Sequence, residues 1–165
     1  MAAALLSVAI GVSAKPLVVC TEASPEGFDP VLYTTAVTAD AAAETMFNRL
    51  VDFKPGTTEI VPALAKTWEI SDNGLTYTFH LRDGVKFHTT DFFTPTRDFN
   101  ADDVLFTFNR LLDAQSPFRQ AYPSESPYFT DMGLNTTIKS VDKLDDHTVR
   151  FNLNNVDASF VQNLA

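Results

Sequence analysis

The sequence predicts a mixed α/β fold, and three local patterns support this prediction. Residues 75–81 alternate apolar and polar side chains, which is typical of a strand with one buried face. An Asn-Gly pair at 73–74 marks a tight turn before that strand. Apolar residues recur with helical spacing over 104–112. Strands and helices therefore share one chain, and we expect a helix to cover one face of a sheet.

The predicted strands are short and are separated by turn residues such as Asn-Gly and Asp-Gly. In chain order they span residues 17–21, 50–53, 67–70, 75–81, 85–88, 138–141 and 149–153. The pair around the Asn-Gly turn is the clearest, because its second strand alternates over its whole length. Trp68, Tyr77 and Phe79 are expected on the buried face of that pair, against a helix.

Helix patterns lie between these strands. A helix is predicted over 38–50 with Thr38 as its N-cap, and a single helical turn over 63–66. Another helix begins after Asn100, where two acidic residues favour the positive helix end. The segments 89–99 and 116–131 are expected to be irregular.

The two ends of the sequence carry further signals. Asp157 is placed to cap a helix, yet no stop signal precedes Ala165, so we expect a longer protein. Residues 1–14 are uncharged and end in small residues, which predicts a signal peptide cleaved after Ala14. The alternative is a buried N-terminal strand or helix. A positively charged start is missing, which suggests a different start codon or a truncated sequence.

Composition narrows the possible partners. The 165 residues carry a formal net charge of −9, so nucleic acid is not an expected partner.

The single cysteine, Cys20, follows Val19, and a lipoprotein signal would need a small residue there. Cys20 is therefore either a buried thiol or the partner of a cysteine outside this chain.

No combination of residues predicts catalysis. Asp102 and Asp103 are adjacent on a helix and point in different directions, so helix capping explains them better than acid–base chemistry. His80, His88 and His147 are scattered, and His80 is expected to be exposed. Nucleophile elbows, phosphate loops and zinc spacings do not occur, so we expect no enzyme activity, cofactor or metal. A secreted hydrolase is the alternative from another class.

Three segments together carry a family resemblance. They are residues 62–88 (PALAKTWEISDNGLTYTFHLRDGVKFH), residues 100–108 (NADDVLFTF) and residues 15–30 (KPLVVCTEASPEGFDP). The sequence resembles the bacterial extracellular solute-binding proteins of family 5, the dipeptide- and oligopeptide-binding components of ABC importers. The third segment looks most like the mature N-terminus of dipeptide-binding members.

This resemblance implies a two-lobed clamp of the type II periplasmic-binding-protein kind. Residues 15–45 would form the first strand and helix start of lobe one, and residues 46–165 an inserted accessory α/β domain. The implied function is capture of di- or oligopeptides in the periplasm and delivery to permease subunits in the inner membrane, by a monomer. Binding of haem or of antimicrobial peptides by the same fold is the alternative.

The resemblance also implies site residues. The backbone of Tyr33, Thr34, Thr35 and Ala36 would pair with an extended peptide; an ordinary surface loop is the alternative. Two aromatic residues, Phe118 and Tyr122, would face the ligand cleft, or else pack or lie exposed. Cys20 would form a disulfide with a cysteine outside this chain.

Overall fold

The computed structural model describes residues 18–165. The predicted signal peptide and its cleavage site after Ala14 lie outside the described residues. Residues 18–21 form no strand and are exposed, so the β-prone run predicted there is wrong over the part described. Among the described residues, no helix has the length and apolar character needed to cross a membrane.

The N-terminal segment ends in a short helix that differs from the predicted one. Helix α1 (Ala36–Thr38) continues as a π-helical turn, Ala39–Ala43, so it begins before residue 38 and ends well before residue 50. Thr38 is buried inside the helix and does not cap it. The extended residue before the helix is Thr35, with φ −74° and ψ 141°.

The strands form two antiparallel sheets. Strands β1 (Val51–Phe53) and β2 (Ile60–Pro62) pair with each other. The larger sheet has the order β3-β4-β6-β5. Its strands are β3 (Ala65–Ile70), β4 (Thr76–Leu81), β5 (Ile138–Asp145) and β6 (Thr148–Leu153).

The alternation predicted for β4 is confirmed. Tyr77, Phe79 and Leu81 are buried and the residues between them are half-buried. Trp68 is only half-buried, with its ring 6.3 Å from that of Phe79. The strand's period of two thus places one row of side chains in the core, as a strand with one buried face requires.

Helix α2 (Ala101–Leu112) packs on this buried face. The Asn100 side chain accepts a hydrogen bond from the Asp102 N–H at 2.9 Å, and the Asp103 carboxylate accepts one from the Asn100 N–H at 2.9 Å. This capping box confirms the predicted helix start. On the inner side, the Phe108 ring lies edge-on to Phe151 at 4.8 Å.

Two predicted elements are wrong for a shared reason. The helical turn at 63–66 is absent because the Leu64 and Ala65 N–H groups donate to the carbonyls of Arg49 and Leu50, which draws this segment into extended pairing. The strand at 85–88 is absent as well: within the described residues its backbone makes one hydrogen bond, from the Phe99 N–H to the Val85 carbonyl at 2.9 Å, which is too few for a ladder. Local patterns show neither the presence nor the absence of such distant pairing partners.

The segment 116–131, expected to be irregular, contains two short helices, α3 (Pro117–Ala121) and α4 (Pro127–Asp131). A third short helix, α5 (Leu134–Thr137), follows it. The first two begin with a proline, whose fixed φ suits the first helical turn. Near the end, the Asp157 side chain accepts from the Ser159 N–H at 2.9 Å, as a cap does, but only a 3-10 helix, Gln162–Leu164, follows.

Candidate functional site

The segment predicted to pair with a peptide lies between a turn and helix α1. The turn is closed by the Leu32 N–H, which donates to the Asp29 carbonyl at 3.1 Å. Tyr33 is half-buried, whereas Thr34, Thr35 and Ala36 are exposed. The segment is therefore accessible along its backbone and anchored through its first side chain.

The backbone groups of this segment are unequally available. Within residues 18–165, the N–H and C=O groups of Tyr33 and Thr34 have no hydrogen-bond partner, and neither does the Thr35 N–H. The Thr35 carbonyl accepts from the Ala39 N–H at 3.0 Å, and Ala36 already belongs to α1. The edge open to an extended ligand thus runs from Tyr33 to the Thr35 N–H.

Glu26 and Gly27, which precede the turn at 29–32, support the segment from one side. The ring of Tyr33 lies directly against Gly27, where a Cβ atom would overlap it. The Thr35 hydroxyl donates to the Glu26 carboxylate at 3.1 Å, and the Thr38 hydroxyl accepts from the Glu26 N–H at 3.0 Å. The side chains of Tyr33 and Thr35 therefore both face residues 26–27, as the period of an extended segment requires.

A second contact joins the N-terminal segment to helix α2. Arg110, in the last turn of α2, donates to the two carboxylate oxygens of Asp29 at 2.9 and 3.3 Å. Its side chain is 17% exposed and its guanidinium carbon lies 5.4 Å from the centre of the Phe118 ring. A paired arginine over an aromatic face combines a bidentate ion pair with a cation–π contact.

The two predicted aromatic residues have different surroundings. Phe118 is half-buried and packs edge-on against Phe106 at 5.5 Å. Tyr122 leans on Phe118 at 5.3 Å and is 66% exposed. The structure thus connects both parts of the predicted site through Asp29, Arg110 and Phe118. The role of Arg110 could not be predicted from the sequence, because its partner lies 81 positions away.

The remaining candidate residues have ordinary structural environments. Cys20 is exposed, so a buried thiol is wrong, and its predicted disulfide stays a prediction. His80 is half-buried and lies 3.6 Å from Glu69, and His147 lies 3.4 Å from Asp83. Residues 18–165 contain no group of three or more His, Cys, Asp or Glu side chains suited to a metal ion.

The acidic pair on α2 is explained by capping and ion pairs. Burial raises the pKa of Asp103, but hydrogen bonds from Arg97 and from the Asn100 N–H outweigh it and hold that pKa below its usual value. Asp102 pairs with Lys143 at 2.9 Å. A carboxylate kept ionised in this way is suited to stabilising the helix, not to donating a proton.

An apolar groove of about 500 Å³ lies where the N-terminal segment meets α2. Pro30, Val31 and Ala43 line one side, and Val104 and Phe108 belong to the other. The groove shows that the N-terminal segment faces α2 over a partly open apolar surface.

This arrangement leaves an extended backbone edge exposed beside the Asp29–Arg110 ion pair. The family profile of the bacterial extracellular solute-binding proteins, family 5 (middle), matches residues 59–165. The chain therefore belongs to this family of solute-binding proteins.

Individual relatives agree with this assignment. Di/tripeptide-binding protein 1 of Pseudomonas aeruginosa (strain UCBPP-PA14) is 61% identical over 165 residues, 100% of this chain and 31% of that protein. Heme-binding protein A of Haemophilus influenzae is 52% identical over 152 residues, 92% of this chain and 28% of that protein.

A solved structure agrees as well. The dipeptide-binding protein of Pseudoalteromonas sp. SM9913, in complex with Met-Leu, superposes with a TM-score of 0.84 at 46% identity. The match covers 88% of this chain and 29% of that one. The chain thus spans about three tenths of the length of such relatives, and the predicted fold, the first part of a type II periplasmic-binding-protein clamp, is confirmed.

Proposed function

We propose that this chain is part of a periplasmic binding protein that captures dipeptides or short oligopeptides and delivers them to the permease subunits of an ABC importer. Family membership and relatives named for di- and tripeptide binding support this function. Residues 15–45 would belong to lobe one of a clamp and residues 46–165 to its accessory domain.

The observation that carries the proposal is the open backbone edge from Tyr33 to the Thr35 N–H. An added strand is held through main-chain hydrogen bonds, which every peptide can form whatever its side chains. Support by Glu26 and Gly27 keeps this edge extended before a ligand arrives. Such preorganisation lowers the entropy cost of binding.

Export is part of the proposal. Residues 1–14 would be removed after Ala14, leaving Lys15 as the first residue of the mature protein. The exposed Cys20 would then lie in an oxidising compartment and pair with a cysteine outside this chain. The intact mass of the exported protein, before and after reduction and alkylation, reports both features.

Haem is the second candidate ligand, because a relative 52% identical over 152 residues is named for it. Calorimetry of the exported full-length protein with Met-Leu and, separately, with haem distinguishes the two. We expect Met-Leu to bind and to be recovered intact by mass spectrometry. Binding of haem without Met-Leu would favour the second candidate, and release of Met and Leu would indicate a hydrolase.

A further inference from the structure

We propose that Arg110 is a positioning residue that fixes the peptide-pairing edge relative to the aromatic residues Phe118 and Tyr122. This inference rests on the proposed function. Arg110 lies in α2, away from the edge itself, and acts on it through Asp29.

The first step is the role of Asp29. One carboxylate oxygen accepts from the Val31 N–H at 3.2 Å and from Arg110 at 3.3 Å, and the other accepts from Arg110 at 2.9 Å. The Asp29 carbonyl accepts from the Leu32 N–H. Asp29 thus holds the turn that ends immediately before Tyr33, and a rotation of its side chain would redirect the edge.

The second step is that Arg110, the partner of Asp29, is held rigidly. Arg110 extends from α2, which is capped at its start and packed on the sheet through Phe108. The guanidinium lies over Phe118, and the Arg110 carbonyl accepts from the Arg119 side chain at 3.4 Å. One side chain therefore contacts both the turn before the edge and the aromatic residue beside Tyr122.

The substitution Arg110→Lys distinguishes a positioning role from simple charge pairing. Lysine keeps the positive charge but cannot form the bidentate pair or stack a planar group on an aromatic ring. Arg97 provides a matched control, because it forms a bidentate pair with Asp103 at 2.6 and 3.0 Å at the opposite end of the same helix. Arg97→Lys should therefore alter helix α2 without altering the edge.

The first experiment is calorimetry of the full-length protein with Met-Leu at a temperature well below the melting point. Arg110→Lys and Asp29→Asn should each weaken binding by about tenfold, the scale of one lost charge-assisted hydrogen bond. The double variant should bind no more weakly than the weaker single variant, because both changes remove one link. Arg97→Lys should bind like the parent.

The second experiment needs no ligand. Amide hydrogen exchange at Val31 and Leu32, whose N–H groups donate to Asp29, should be faster in Arg110→Lys than in the parent and in Arg97→Lys, while exchange in β4 stays unchanged. Unchanged exchange at these two amides, or parental affinity in Arg110→Lys, overturns the positioning role. If the parent itself fails to bind Met-Leu but exchange rises as expected, the positioning role stands and the proposed peptide function fails.

Discussion

The N-terminal arm, residues 18–45, and the body, residues 46–165, are held by different interactions. Thr38 and Ala42 are the buried residues of the arm, whereas the hydrophobic core lies in the body. The arm is fixed by polar contacts such as Asp29–Arg110 and Glu26–Thr35. Stability should therefore depend mainly on the body, whereas the peptide-pairing edge lies in the arm and is linked to the body through Arg110.

The largest expected effect comes from the core of the body. Phe79 is completely buried, between Trp68 and Phe151. Phe79→Ala should lower the free energy of unfolding by about 3–5 kcal/mol, because it removes a large side chain and leaves a cavity. Chemical denaturation of the full-length protein measures this loss.

The matched control is Phe92→Ala, because Phe92 is 90% exposed. It should change stability by less than about 0.5 kcal/mol. Peptide affinity of the folded Phe79→Ala protein should remain near that of the parent. A large loss of affinity in that variant would contradict the separation of body and arm.

The contrast also explains how far the sequence predicted the structure. In the body, burial of one strand face produces alternating apolar and polar residues, so the alternation was sufficient to predict β4. The capping residues at Asn100 were likewise sufficient to predict the start of α2. The helical turn at 63–66 failed because backbone pairing with Arg49 and Leu50 is a long-range interaction. In the arm, Thr38 is a residue type that often caps helices, yet its hydroxyl accepts a hydrogen bond from the Glu26 N–H.

The candidate site was predicted through family resemblance and not from residue patterns. Tyr33 and Thr35 have no distinctive local signal, and their support by Gly27 and Glu26 becomes visible only in three dimensions. Arg110 was missed for the same reason. Sites made from backbone edges and distant ion pairs leave little periodicity in a sequence.

The next effect concerns the arm. Thr35→Pro should weaken peptide binding by about 1–3 kcal/mol, because it removes one N–H and leaves a buried ligand acceptor unpaired. The native φ of −74° suits proline, and this N–H has no partner within residues 18–165, so the fold should tolerate the change. Calorimetry gives the affinity, and a thermal melt checks folding.

Thr35→Ala is the matched control, because it loses the same hydroxyl contact with Glu26 but keeps the N–H. It should change affinity by less than about 1 kcal/mol. Equal losses in the two variants would assign the effect to the side chain, and parental binding by a folded Thr35→Pro protein would make the segment an ordinary loop.

A smaller, pH-dependent effect is expected at the start of α2. The pKa of Asp103 is lowered in the folded protein, so its ionised form adds stability above its unfolded pKa of about 4. This contribution should disappear as the pH falls through the lower folded pKa. The stability difference between parent and Asp103→Asn should therefore shrink below about pH 4, as measured by urea denaturation. A difference that is constant from neutral to acidic pH contradicts an ionised cap.

The central claim is that the arm pairs with peptide through its backbone. Amide hydrogen exchange of the full-length protein, with and without saturating Met-Leu, tests it most directly. Exchange over residues 33–36 should slow by at least about tenfold on binding, since a main-chain hydrogen bond to a bound ligand protects the amide it uses. The exposed loop around Phe92 should show no change and serves as the internal reference. If Met-Leu binds and exchange over 33–36 stays the same, the peptide is held elsewhere and the account of this edge is wrong.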